Sequence, residues 1–274
     1  MVQLCLGSAN FGSKYGLENK KINKNKLIDI ITVAKKHNLL NIDTSFEYVD
    51  SHQSLKRITD KKMKINTKIF LKENSNFISV KKKIVNFNKT SPSKIHSLLL
   101  HDQNDALNIE KIELLKSLKS QKVVTKIGVS VYDLSILKKA LKLWTPDIVQ
   151  IPVNPFNSEF LSKNFLKHLK RKNITIFARS IFLQGMLVKE NKYLSNKFKN
   201  NFNNWFKFCK SQSTHPVKVC LDFCKSIKEL DFLIIGVQDH EELKQTINYF
   251  NQTKKVNSNL IIKKKYKKID LRKI

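Results

Sequence analysis

Four side chains that move protons or hold charge lie in three short stretches of this sequence. Asp43 and Tyr48 belong to Ile42-Asp43-Thr44-Ser45-Phe46-Glu47-Tyr48, Lys68 follows Thr67, and His101 belongs to Leu99-Leu100-His101-Asp102. Asp43 and His101 each close an apolar run, and Lys68 lies in another. An acid, a phenol, an amine and an imidazole gathered at one place are equipment for general acid–base work. Taken singly, Asp43 could cap a helix or a turn, Tyr48 could be a rim aromatic, and Lys68 could lay its stem along apolar surface. His101 could be a buried imidazole with its hydrogen bonds satisfied. The ordered set weighs against these separate readings.

The elements that must position the four are legible as alternating runs. Strand-like runs fall at Leu4–Gly7, Leu39–Ile42, Met63–Leu71, Ile95–Leu100, Thr125–Ser130, Ile148–Val153, Ile174–Ser180 and Leu230–Val237. Between them, apolar residues recur at helical spacing in Asn25–Lys36, Ile78–Phe87, Ile109–Leu118, Leu134–Leu143, Phe160–Leu169 and Glu241–Phe250. Glu47–Arg57 reads as loop and short helix, Phe182–Asn203 as a long loop with partial helix, and Phe202–Ile227 as helix broken near His215-Pro216. The pattern does not decide whether the third strand stops at Lys68 or continues through Leu71.

About eight strand–helix units in alternation require a mostly parallel sheet with covering helices. A doubly wound dinucleotide fold should carry G-x-G-x-x-G after its first strand. Gly7, Gly12 and Gly16 have the wrong spacing for it. A closed barrel instead collects function at the C-terminal ends of its strands, where Asp43, His101, Ser130, Asn154 and Ser180 fall. The expected fold is therefore a single α/β (β/α)8 TIM barrel spanning 1–274, with a basic tail from about 251. The six glycines sit at strand ends, in short strands or in the loops that follow. In a chain so poor in glycine, such positions point to backbone freedom or close approach to a ligand.

Composition narrows the remaining choices. The chain has 274 residues and a formal charge of +30. Nearly all the positive residues are lysines spread along the chain, and only four are arginines. Specific base and phosphate contacts favour arginine, so nucleic-acid binding is not expected. No apolar run is long enough to span a membrane, and no signal-like leader opens the chain; a cytoplasmic location is expected. The four cysteines, Cys5, Cys209, Cys220 and Cys224, form no C-x-x-C pair, and no metal site is expected.

The motifs Leu6-Gly7-Ser8-Ala9-Asn10-Phe11-Gly12, Ile42–Tyr48, Thr67-Lys68, Leu99–Asp102, Ile127-Gly128-Val129-Ser130 and Ile235-Gly236-Val237 resemble, in order and spacing, those of the aldo-keto reductase superfamily. The resemblance covers about Leu4 to Phe250. It implies a catalytic tetrad of Asp43, Tyr48, Lys68 and His101, and a nicotinamide cofactor, NADP(H) ahead of NAD(H), bound without a Rossmann domain. It also favours ending the third strand at Lys68. The chemistry fits: hydride addition to a carbonyl leaves negative charge on oxygen, and a proton donor must stand there. A phenol is a poor acid, with a pKa of about 10, and a nearby ammonium lowers that value. Lys68 would supply this charge to Tyr48, Asp43 would hold Lys68, and His101 would donate or orient at the carbonyl oxygen.

On the cofactor side, Ser130 and Gln150 match the positions that hold the nicotinamide carboxamide, while Val131 replaces an asparagine that often follows the serine. Arg179 and Ser180 lie in the segment after the seventh strand, where many members stack an aromatic ring on the nicotinamide; a guanidinium could stack too, or contact pyrophosphate. Gly236, Gln238 and Glu242 match the end that receives adenine and a 2′-phosphate. Gly236 and Glu242 replace a lysine and an arginine found in some NADPH-specific members. Val49 and His52 also depart from the family pattern. The phrase from Arg179 to Gly185 resembles a bacterial branch associated with surface polysaccharide or sugar metabolism. The expected activity is reversible, NAD(P)H-dependent reduction of a small carbonyl compound. The alternatives are a cofactor-binding sensor or assembly partner with little turnover, and a polyanion-binding protein motivated only by charge.

Overall fold

The apolar runs become strands because both of their faces are covered, as parallel sheets require. In the computed structural model, β1 (Gln3–Gly7), β2 (Asn41–Asp43), β3 (Lys64–Ile69), β4 (Lys94–Leu100), β5 (Lys126–Ser130), β6 (Ile148–Pro152), β7 (Thr175–Arg179) and β8 (Phe232–Ile235) are parallel and close in sequence order into a barrel. The structure describes all residues except 13, 15, 17–20, 74, 191–195, 254–255 and 257–274; of 196 and 197 only the backbone is described. Most of the basic tail, Leu260-Ile261-Ile262 included, lies outside the described residues.

Helices α1 (Lys24–Lys36), α2 (Ser51–Ile58), α3 (Phe77–Thr90), α4 (Ile109–Ser120), α5 (Leu134–Leu143) and α6 (Lys163–Arg171) follow the first six strands. Two more, α7 (Asn196–Ser211) and α8 (Pro216–Lys225), separate β7 from β8, and α9 (His240–Asn251) follows β8. Polar caps set several starts: Asn23, Asn108 and Asp239 each accept a first-turn backbone N–H, and Asn76 with Ser79 forms a reciprocal capping box. The break at His215-Pro216 falls between α7 and α8, where proline opens a helix without losing a useful donor. None of the described helices is long and apolar enough to cross a membrane.

A large apolar cluster fills the space between barrel and helices, while Cys5, Leu99, Ile148, Phe177 and Ile234 form a second cluster of their own. The second cluster draws on β1, β4, β6, β7 and β8, and so fills the barrel interior. Several boundaries differ from the sequence reading, three of them for a visible reason. β3 runs one residue past Lys68, because the Ile69 carbonyl accepts the His101 N–H at 2.9 Å. β7 stops at Arg179, because Ser180 takes a left-handed backbone (φ 57°). α6 begins at Lys163 rather than Phe160, after the Asn154–Asn157 bridge has turned the chain.

Two glycines are dictated by neighbouring backbone. A Cβ on Gly128 would lie 2.2 Å from the Ile148 carbonyl oxygen, and one on Gly12 only 1.7 Å from that of Val49. Close approach is thus required at both, but to the chain itself rather than to a ligand. Gly12 lets the loop after β1 press on the loop carrying Tyr48. Gly12→Ala should therefore displace that loop, destabilise the fold by about 1–3 kcal/mol and lower turnover. Denaturant unfolding and steady-state kinetics check this, and unchanged values in both would refute the contact.

Candidate active site

Most of the candidate side chains issue from the C-terminal rim of the barrel. Asp43 ends β2, Lys68 is the penultimate residue of β3, His101 follows β4, Ser130 ends β5, Gln150 is central in β6 and Arg179 ends β7. One cavity is lined by Asp43, Tyr48, Lys68 and His101 together with Ser130, Gln150, Arg179, Ser180, Gly236, Gln238 and Glu242. The structure thus brings together the four acid–base candidates and the cofactor-side candidates, while Asn154, also at a strand end, is not among the lining residues.

Asp43 and Lys68 are buried and joined bidentately, the ammonium lying 2.8 and 2.7 Å from the two carboxylate oxygens. Gln150 Nε2 donates to the same carboxylate at 2.7 Å. The Lys68 ammonium stands 5.3 Å from the centre of the Tyr48 ring, and the Tyr48 and His101 rings meet edge to face at 6.1 Å. Burial first, and the Asp43 carboxylate second, push the Tyr48 phenol above its ordinary range, with Arg179 pulling the other way. The lowering of this phenol expected from the sequence does not occur. The reason is that Lys68 directs its charge into Asp43, and a half-buried phenol resists becoming an anion.

The tyrosine loop is held by hydroxyls. Ser51 Oγ lies 2.8 Å from Ser8 Oγ and 3.0 Å from Thr44 Oγ1, tying the first turn of α2 to the ends of β1 and β2. Ser45 Oγ lies 3.0 Å from His101 Nδ1 and 3.3 Å from the Lys68 carbonyl, so one hydroxyl steadies the imidazole against β3. His52 stacks on Phe46 at 4.3 Å and reaches Thr67 Oγ1 at 3.1 Å. Sequence reading missed Ser45, whose one signal was a hydroxyl next to Thr44 in the aspartate–tyrosine stretch.

Burial, with Lys68 for His101 and Lys56 for His52, holds both imidazoles down to about 4. Unfolded imidazoles take up protons below about 6.5, so between that value and about 4 the unfolded chain binds more protons than the folded one. Stability is therefore complete above about pH 6.5 and falls as pH drops toward 4. Thermal unfolding followed across this window should show the decline, and His52→Gln should make it shallower. A midpoint independent of pH there would contradict the burial of both rings.

Arg179 reaches from β7 across β6 to β5. Its guanidinium lies 3.8 Å from the centre of the Tyr132 ring; Nε donates to Ser130 Oγ at 3.2 Å and a terminal nitrogen donates to the Val131 carbonyl at 2.9 Å. Tyr132 was not singled out from sequence, and its contact with Arg179 bridges distant strands. Gln103 fixes its loop by accepting the Tyr132 and Asp133 N–H groups at 2.7 and 3.0 Å. After β8, Glu242 accepts the Gln238 N–H at 2.6 Å.

Gln150 also bears on whether a nicotinamide group fits. With its amide nitrogen on Asp43, its buried Oε1 has no hydrogen-bond partner. A buried acceptor left in this way is costly, and a carboxamide N–H is a donor that would satisfy it. The residues present therefore fit the cofactor.

Fold and rim together define a closed barrel whose acid–base groups line one cleft. Residues 3–267 match the model of the Aldo/keto reductase family, and the chain belongs to that family, whose members are oxidoreductases acting on carbonyl groups. Similar solved structures include the holo form of aldo-keto reductase AKR11C1 from Bacillus halodurans, at 14% identity and TM-score 0.76 over 96% of this chain and 92% of that one. Another is glycerol dehydrogenase AKR11B4 from Gluconobacter oxydans, at 14% identity and TM-score 0.71 over 98% and 94%. At this identity they bear on the fold. A search of curated protein sequences gave no match.

Proposed function

We propose that this protein reduces a small carbonyl compound, or oxidises the corresponding alcohol, with a nicotinamide dinucleotide. The observation that supports this best is the convergence of Tyr48, His101 and the Asp43–Lys68 pair on one cleft that Gln150, with its orphaned acceptor, also lines. When bound, the cofactor supplies or accepts the hydride. Ser130 and Gln150 would hold its carboxamide, with Arg179 and Ser180 beside them, and Gly236, Gln238 and Glu242 would receive the adenosine part. NADP(H) is expected ahead of NAD(H), and Glu242 is the group a 2′-phosphate would have to accommodate.

Tyr48 is the proton donor to the carbonyl oxygen. Its raised pKa keeps the phenol protonated at neutral pH, which is the form needed for donation. His101, neutral above about pH 5 because its pKa sits near 4, hydrogen-bonds the same oxygen and orients it. Ser45 fixes the imidazole through Nδ1. Lys68 and Asp43 provide a rigid, internally neutral support. A single positioned donor of this kind is worth roughly 10²–10⁴ in rate.

Titration with NADPH and with NADH by fluorescence, followed by cofactor consumption across a carbonyl panel, tests the proposal. Saturable binding of at least one form and turnover of at least one carbonyl are expected. Absence of binding by both forms would sink it, and binding without any turnover would favour a sensor.

A further inference from the structure

We propose a second binding site, for a phosphate-type oxyanion, at the N-terminal mouth of the barrel, where Lys64 and Lys126 converge from β3 and β5. It does not depend on the carbonyl-reductase reading. Side chains alternate along a strand, so residues in step with Lys68 on β3 and with Ser130 on β5 point into the barrel. Lys64 and Lys126 are in step with them and open their strands at the end opposite the cleft. Asn66 bears out the direction on β3: inside the barrel it meets Asn41 of β2 at 3.4 Å and Ser97 of β4 at 2.8 Å. On β5, the Lys126 ammonium reaches past β6 to Thr175 Oγ1 of β7 at 3.3 Å. His96 is the extra residue of a bulge in β4, where the pairing steps from Ile65–Ile95 to Asn66–Ser97. Burial, and then the charges of Lys64 and Lys126, hold its imidazole below the usual range, so both lysines are felt at this ring.

This mouth is separate from the cleft. Cys5, Leu99, Ile148, Phe177 and Ile234 fill the barrel between its two ends, and Phe232 stacks on Phe177 at 4.5 Å on the N-terminal side. Lys64 is exposed, and Asn41, His96, Lys126 and Thr175 are partly so, which leaves them within reach of a ligand. Among the described residues no carboxylate lies within ion-pair distance of Lys64 or Lys126. The acids that lead into β6 and β8 are committed elsewhere. Asp147 is held by Lys119 and the Ile127 N–H, and Asp231 by Lys170 and the Ile176 N–H. Two like charges gathered at one mouth repel, and an anion between them relieves this. Phosphate or sulfate brings the charge and several acceptor oxygens, and lysine serves such groups as a point charge. Asn41 accepts the Asn66 N–H on its oxygen and keeps its own N–H groups to donate. The chain has many surface lysines. These two differ because closure of the barrel, not the face of one helix, brings them together.

Isothermal titration with inorganic phosphate at constant ionic strength tests the site, with and without NADPH. One phosphate per chain should bind in both conditions, and sulfate should compete with it. Lys64→Gln and Lys126→Gln should each weaken binding roughly tenfold, as expected for a charged hydrogen bond, and the double variant should abolish it. Lys126→Arg keeps the charge and should retain binding. Lys139→Gln, which removes an exposed charge from α5, should bind as wild type does. Circular dichroism shows that the variants are folded. Phosphate should also raise the thermal midpoint of wild type above that in chloride of equal ionic strength, and the double variant should lose this rise. A phosphate monoester, glycerol 3-phosphate, is titrated alongside. Tighter binding of the ester or of the free ion supports the site in either case and says which source fills it. No saturable binding to wild type, or binding unchanged in the double variant, overturns the proposal. So does phosphate that NADPH displaces, since the cleft then holds it. A loss in Lys139→Gln equal to that in Lys64→Gln would reduce the effect to overall charge and overturn it too. Binding of a short oligonucleotide without any binding of phosphate would mark a polyanion surface instead, and would equally overturn it.

Discussion

Tyr48→Phe should bind the nicotinamide cofactor as wild type does and reduce carbonyls roughly 10²–10⁴-fold more slowly. The substitution removes one oxygen and leaves the ring, so the edge-to-face contact with His101 and the position over the Lys68 ammonium are retained. No hydrogen bond that shapes the fold is lost with the hydroxyl: the loop is held through the Tyr48 backbone and by Ser8, Thr44 and Ser51. The loss should therefore fall on kcat, the signature of a group that acts in the transition state. Single-turnover kinetics with pre-bound cofactor check it. Comparable rates in the two proteins would remove Tyr48 from the proposed role.

Lys68→Met should have the larger effect on stability. It leaves the buried Asp43 carboxylate with Gln150 as its remaining side-chain donor. Removing one partner of a buried ion pair costs about 3–5 kcal/mol, because the other charge is then uncompensated. Asp43→Asn combined with Lys68→Met removes both charges and should recover part of that loss. Neither variant should reduce carbonyls at a useful rate, since the support under Tyr48 has changed in both. Urea unfolding monitored by circular dichroism measures the first effect and cofactor consumption the second. If the double variant were no more stable than Lys68→Met, the uncompensated charge would not be the cause.

The barrel was readable because its physics is local. Buried parallel strands are unbroken apolar runs, as Leu98–Leu100 is, and the helices between them carry their own periodicity. Boundaries failed where something non-local decides them: Ile69 is kept in β3 by the backbone of His101, and Ser180 ends β7 by its positive φ. The start of α7 at Asn196 was hidden in an asparagine- and lysine-rich stretch, although Phe198, Phe202, Trp205, Phe206 and Cys209 recur there at helical spacing. Among the candidate residues, the four acid–base groups could be picked out because each lies at a strand end or in the loop after it and keeps a motif around it. Ser45 with His101, and Arg179 with Tyr132, are pairs made by closing the barrel, and residue type alone does not join them. The direction of the Tyr48 shift was misread for a related reason. Proximity of an ammonium was foreseeable, but not that two carboxylate oxygens would take up its charge.

Transfer of label tests the carbonyl-reductase account most directly. The protein is incubated with NADPH, and separately NADH, carrying deuterium at both C4 positions of the nicotinamide, and with each member of the carbonyl panel. Mass spectrometry of the alcohol then locates the label. Deuterium on the carbinol carbon, formed by wild type and lost to background in Tyr48→Phe, is the expected result. Alcohol formed without deuterium, or labelled equally fast by Tyr48→Phe, would contradict hydride transfer protonated by Tyr48.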